Sequence, residues 1–161
     1  MDRPNWDEYY MTIAKAVAMR SQDPVTQVGC VLVDTDNHIV ATGYNGMPRS
    51  LYFTWNKNDG LDNKNLFVVH SEVNAVLHAT KSVQNCTAYV TLFPCNECAK
   101  VLVQAGIKKI VYLSDKYHDK ISTQASRVLF EQAGVLTQQY RGRDFEIKEE
   151  SENEGSREIS W

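Results

Sequence analysis

The chain has 161 residues, 43% hydrophobic and 23% charged, enough for one well-buried domain and too few for two ordinary ones. A net charge of −3 excludes a surface built to coat a long nucleic acid, which is held by many clustered cations. There is no apolar run of the roughly 18 residues a membrane span needs, and "MDRPNWDEYY" lacks a secretory hydrophobic region. Four cysteines, two of them close together, suit a metal or redox site in a reducing compartment, so the expected location is cytoplasmic.

In chain order, Asn5 followed by Glu8 predicts a capping box, and Tyr9, Ile13 and Val17 continue at helical spacing until Pro24 resists continuation. "VGCVLVD" and "HIVATGY" are β-rich runs joined by "TDN", a hairpin signal. Residues 45–66 form a polar connection of a length that is uncommon unless functional or disordered. A short helix is predicted over 71–81, then the strand "CTAYVTLF", then a helix from Pro94 or Cys95 that stops at Gly106. "IKKIVYL" is a strand, "STQASRVLFEQA" a helix capped by Gly134, and "VLTQQY" a last strand. The later chain therefore alternates strand and helix, the pattern of parallel β-α-β units with helices on both faces of one sheet. The reading places one deaminase-type domain over 1–142 and an acidic, flexible tail over 143–161, with Trp161 exposed at its end.

Two short motifs carry the chemistry: "HSE" at 70–72 and "PCNEC" at 94–98. Cys95 and Cys98 fall in the first turn of a predicted helix, where the dipole favours thiolate and residues three apart point to one side. His70 starts another helix, and adjacent elements of this kind bring the helix N-termini together at one end of the sheet. A His, Cys, Cys set leaves the fourth tetrahedral position of zinc open, which separates catalytic from closed structural sites. Glu72 then lies close enough to move a proton without ligating the metal. H-x-E with P-C-x-x-C is the signature of zinc nucleobase deaminases. The competing readings are a redox pair at Cys95 and Cys98, or a closed structural zinc with His78 or Cys86 as fourth ligand. Cys30 and Cys86 read as small core residues, His78 as packing or capping on its helix, His38 as solvated, and Glu97 as a first-turn partner of the helix dipole.

The segments "RSQDPVTQVGCVLV", "GYNGMP", "HSEVNA", "LFPCNECAKVLVQAGIKKIVYLSDKYHD" and "AGV", spread from about Trp6 to Tyr140, resemble the deoxycytidylate (dCMP) deaminase family. The zinc motif alone fits any member of the cytidine deaminase-like superfamily, whereas "GYNGMP" together with "SDKYHD" is narrower. The resemblance implies a three-layer α/β/α sandwich with a mixed five-stranded sheet. It implies hydrolysis of dCMP to dUMP and ammonia, supplying dUMP for thymidylate synthesis, with one catalytic Zn2+ per chain on His70, Cys95 and Cys98. Glu72 protonates N3 of the cytosine ring and then the departing amino group. Tyr117 is similar to the family's substrate-contacting tyrosine. Asn45, in a glycine-flanked turn, offers a donor and an acceptor to sugar or base, the alternative being an αL turn. Lys116 and His118 are candidate phosphate neighbours, as are Arg20 and Ser21, the alternative for Arg20 being a helix C-terminal cation.

The family's regulation, with dCTP–Mg2+ activating and dTTP inhibiting in a homohexamer, implies a second nucleotide site near "GYNGMP". The partners implied are these small nucleotides and further copies of the chain, with no nucleic acid and no membrane. Ser71 replaces the alanine usual between His and Glu and is expected to help cap its helix. Ser50 stands where the family's loop, G-Y-N-G-x-P-x-G, ends in glycine, so a positive φ there would be strained. The cysteine-rich insertion that holds a second zinc in some relatives is absent between Asn45 and His70. The rival readings are deamination of another cytosine nucleotide, of a nucleoside or of adenosine in tRNA, and a non-catalytic zinc-stabilised module that senses nucleotides.

Overall fold

The computed structural model describes residues 2–149, so the expected tail beyond Glu149, with Trp161, lies outside the described residues. The capping box forms as predicted: Asn5 Oδ1 accepts from the Glu8 N–H at 2.8 Å, and a Glu8 carboxylate oxygen accepts from the Asn5 N–H at 2.9 Å. It opens helix α1 (Trp6–Ala18), whose buried Tyr10, Met11 and Ala14 give it one packing face. The hairpin follows as β1 (Gly29–Val33) and β2 (Ile39–Tyr44), with Asn37 in the turn at φ 61°, a conformation asparagine tolerates. Helix α2 (Ser71–His78) is shorter than predicted. Ala79 turns to extended backbone at ψ 132°, and Lys81 reaches across to pair with Asp34 at 2.8 Å. Then come β3 (Thr87–Leu92), α3 (Asn96–Gln104), β4 (Lys109–Ser114), α4 (Ile121–Ala133) and β5 (Leu136–Gln139). Gly134 ends α4 in the left-handed conformation, φ 70°.

The strands form one mixed sheet in the order β2-β1-β3-β4-β5. β1 is antiparallel to both neighbours, and the parallel pairs are β3 with β4 and β4 with β5. Alternation along the inner strands sends side chains to two cores. Cys30, Leu32, Ala88, Val90, Ile110 and Tyr112 face α2, α3 and α4, where Leu102 and Phe130 close the layer. Val31, Val33, Tyr89 and Val111 face α1 and meet Tyr10, Met11 and Ala14. The result is three layers, α1 on one side of the sheet and α2, α3 and α4 on the other.

Two close approaches fix the helices on this sheet. At Gly29 a β-carbon would collide with the Ala14 carbonyl of α1, and at Gly43 with the Ser71 carbonyl and Ala75 nitrogen of α2. Glycine there lets helix backbone sit directly on strand backbone. The Asn74 amide adds a bond to the Tyr44 carbonyl at 2.8 Å, tying α2 to the end of β2.

The long connection between β2 and α2 leaves and returns through one neck. Gly46 and Val69 exchange both backbone bonds, at 3.0 and 2.8 Å, as an isolated antiparallel bridge. Within this excursion Lys64–Leu66 forms a 3-10 turn, and Ser50 has φ 67°. At the other end of the chain the Arg143 guanidinium reaches Glu8 at 2.8 Å and the Arg3 carbonyl at 3.1 Å. These bonds, the Arg143 side chain foremost, hold the Glu8 carboxyl down to about 2 from its ordinary 4.5. Among the described residues no helix is long and apolar enough to cross a membrane.

Candidate active site

The two motifs occupy equivalent positions on neighbouring helices. His70 is the N-cap of α2 and Cys95 the N-cap of α3, and Cys98 lies in the first turn of α3. Neither cap side chain bonds its own helix, so both are free to face the space between the two N-termini. His70 Nδ1 lies 3.3 Å from Cys98 Sγ and 3.4 Å from Cys95 Sγ, and the donor atoms of all three residues lie within 4.8 Å of one another. Donors sharing a tetrahedral zinc, with bonds of about 2.0 and 2.3 Å, stand about 3.5 Å apart, so the set fits that ion. No other His, Cys, Asp or Glu joins the group among the described residues. His78 is exposed at the far end of α2, where it neither packs nor serves as a fourth ligand, and Cys86 is buried in the core beside Cys30.

The site also favours anionic sulfur. The hydrogen bond from Cys98 holds the Cys95 thiol down to about 4 from its ordinary 9, against its burial and with help from His70. The same bond, reinforced by burial, pushes Cys98 up, and the bond to Cys95 raises the imidazole of His70.

Glu72 is 3% exposed, and burial raises its carboxyl above the ordinary value against the opposing effects of Ser71 and His70. The Ser71 hydroxyl, fully buried, donates to Glu72 Oε1. The expectation that Ser71 would help cap α2 is therefore corrected. Its hydroxyl turns away from the helix end because the carboxylate beside it is the stronger acceptor in a dry setting.

A cavity of about 420 Å3 opens over this group, within the range of small-molecule sites. His70, Ser71, Glu72 and Cys95 line one end, Val28, Leu92 and Phe93 an apolar wall, and the loop after β4 the other end. The wall around Asn45 is built from segments far apart in sequence. Asn45 Oδ1 accepts from the Val28 N–H and its amide donates to the Thr26 carbonyl, both at 2.8 Å. Asp23 accepts from the N–H groups of Val25 and Thr26 and forms a buried ion pair with Lys64. Burial opposes the charge on Asp23, yet Lys64 and those N–H groups together hold its carboxyl below the ordinary value.

The structure brings together His70, Glu72, Cys95, Cys98, Asn45 and Tyr117 around one cavity. Asn45 is not left-handed, which removes the αL alternative, and one amide N–H and one oxygen lone pair remain after its two bonds. Tyr117, 37% exposed, stands at the rim with the Lys120 ammonium 4.1 Å from its ring centroid. Four other candidates do not line the cavity. Arg20 is exposed with its guanidinium 5.8 Å from the Tyr44 ring, and the Ser21 hydroxyl donates to the Asn45 carbonyl at 2.8 Å. Lys116 lies on the outer side of Tyr117 at 5.1 Å, and His118 is bonded within its own turn to Asp115. Sequence reasoning missed Lys64, Asp23, Lys120 and Thr123. Lys64 and Asp23 read as solvated loop charges, and no local spacing links positions so distant.

Comparison with known proteins follows the same lines. Residues 4–114 match the family model described as "Cytidine and deoxycytidylate deaminase zinc-binding region". The deoxycytidylate deaminase of Mus musculus is 46% identical over 145 residues, covering 86% of this chain and 82% of that protein. The deoxycytidylate deaminase of Homo sapiens is 44% identical with the same coverage. The crystal structure of dCMP deaminase from cyanophage S-TIM5, in complex with dCMP and dUMP, superposes with a TM-score of 0.73 at 28% identity, over 87% of this chain and 100% of that one. The chain belongs to the cytidine and deoxycytidylate deaminase zinc-binding family, whose α/β/α sandwich and mixed sheet it shares.

Proposed function

We propose that the chain hydrolyses dCMP to dUMP and ammonia. The observation that carries this reading is a buried, unligated carboxylate, Glu72, beside three metal-type donors at one end of a nucleotide-sized cavity. His70, Cys95 and Cys98 are the residues that would hold Zn2+, which when bound supplies an activated water at the ring carbon under attack. Glu72 takes the proton of that water and delivers it to N3, then passes a second to the departing amino nitrogen. A carboxyl raised by burial suits such a shuttle, since it holds a proton closer to neutral pH than an exposed glutamate does. Val28, Leu92 and Phe93 keep bulk water from the ring. The remaining amide N–H and lone pair of Asn45 orient the sugar or base, and Tyr117 closes the rim. The nucleotide preference is supported by the dCMP and dUMP bound in the cyanophage enzyme and by the identity to the two mammalian deaminases. Activation by dCTP–Mg2+ and inhibition by dTTP in a homohexamer belong to the same reading and rest on the family resemblance of "GYNGMP".

The test is loss of cytosine absorbance with dCMP, CMP, deoxycytidine and dCTP, each with and without dCTP–Mg2+ or dTTP, alongside metal analysis and Glu72→Gln. The expected result is preferred turnover of dCMP, one zinc per chain, and a fall in kcat of about 10²-fold or more in the variant with zinc retained. Zinc binding without deamination of any of the four would overturn the reading.

A further inference from the structure

The end of the cavity opposite the metal-type donors is the N-terminus of α4. Its N-cap, Lys120, makes no side-chain cap bond, and its first turn contains no acidic residue. The first intrahelical bond runs from the Gln124 N–H to the Lys120 carbonyl at 3.0 Å, so the N–H groups of Ile121, Ser122 and Thr123 have no carbonyl within the helix. Lys120, Ser122 and Thr123 all line the cavity. Thr123 is the decisive side chain. The residue is 5% exposed, and its hydroxyl has no hydrogen-bond partner among the described residues. A hydroxyl buried to that degree and turned into a cavity is a donor awaiting a ligand. The charge balance agrees: of the two carboxylates lining the cavity, Asp23 is paired with Lys64 and Glu72 sits at the far end, while Lys57 and Lys120 add positive charge.

We propose that the first turn of α4 is the subsite for the 5′-phosphate of the nucleotide, with the Thr123 and Ser122 hydroxyls, the free N–H groups and the Lys120 ammonium as its donors. Helix N-termini bind phosphate through these groups and the dipole behind them. The proposal rests on the deaminase reading above and adds to it the device that separates a nucleoside monophosphate from a nucleoside. Lys120 and Thr123, rather than Lys116, His118 or Arg20, are then the residues that set this preference.

The test is calorimetric binding of dUMP and of deoxyuridine to the zinc-loaded wild type, Lys120→Ala and Thr123→Val, with dCMP turnover of the wild type measured beside it. The wild type should bind dUMP about tenfold or more tightly than deoxyuridine. Each variant should lose about five- to tenfold in dUMP affinity, with deoxyuridine binding altered less than twofold. A wild type that prefers dUMP, with variants that bind it equally well, places the phosphate elsewhere and overturns the subsite alone. Parallel loss of both ligands in Lys120→Ala, whose side chain is exposed, overturns it too. If Thr123→Val fails to fold, Lys120→Ala decides the matter. A wild type that neither deaminates dCMP nor binds dUMP overturns the deaminase reading itself.

Discussion

Ser50 sits at φ 67°, where an L side chain crowds its own backbone at a cost of about 1 kcal/mol. Glycine removes that cost but leaves the unfolded chain freer, so Ser50→Gly should stabilise the protein by about 0.5–1 kcal/mol, a rise of roughly 1–4 °C in Tm. A thermal melt that shows no rise would mean that the serine side chain makes a compensating contact. The strain was anticipated from the resemblance, because the loop pattern ends in glycine at that position. His70, Glu72, Cys95 and Cys98 were legible for a different reason: each pair is separated by one or two residues, so a helix start fixes their relation without knowledge of the fold. Asp23 with Lys64, and Thr123 with the cavity, depend on loops meeting in space. A lysine in "DNKN" looks solvated until an aspartate 41 positions away is found against it.

Among the elements, α2 matters most for the chemistry, since it carries both His70 and Glu72, and its seat is Gly43. In Gly43→Ala the methyl would meet backbone of Ser71 and Ala75 rather than a flexible side chain. The helix must lift from β2, at a cost of about 1–3 kcal/mol in denaturant melts, and His70 moves with it. Zinc affinity, measured by competition with a chromogenic chelator, should fall alongside stability. Reduced stability with unchanged affinity would show that α2 yields elsewhere. The elements were predictable because their ends carry local chemistry, such as the Asn5–Glu8 box and Gly134. The extent of α2 was not, because its end is set by the turn at Ala79 and the reach of Lys81 to Asp34 across the molecule. The deployment of helices, one against three, was equally hidden, since alternation in β1, β3 and β4 shows two buried faces without showing which helix covers each.

For the molecule as a whole, Arg143 joins the last described segment to the first helix through Glu8. A carboxyl held at about 2 in the folded state and near 4.5 in the unfolded one stabilises the fold above pH 4.5, and loses that contribution as pH falls towards 2. Arg143→Ala should therefore be destabilised at neutral pH, and the gap from wild type should narrow below pH 4.5 and close near pH 2 in urea melts. A gap independent of pH would assign the effect to the Asp2 and Arg3 carbonyls instead. The Gly46–Val69 bridge has a different kind of consequence. Because the excursion over 47–68 is fastened at its base, its inner length adds little strain to the metal-type ligands beyond it, and doubling a flexible loop costs only about 0.6 kcal/mol. Yet Lys57 and Lys64 bring that same excursion to the cavity. The chain thus separates a fixed reaction centre from a replaceable gatehouse, so descendants of this sequence can change what is admitted by rewriting one stretch while the catalytic apparatus is inherited intact.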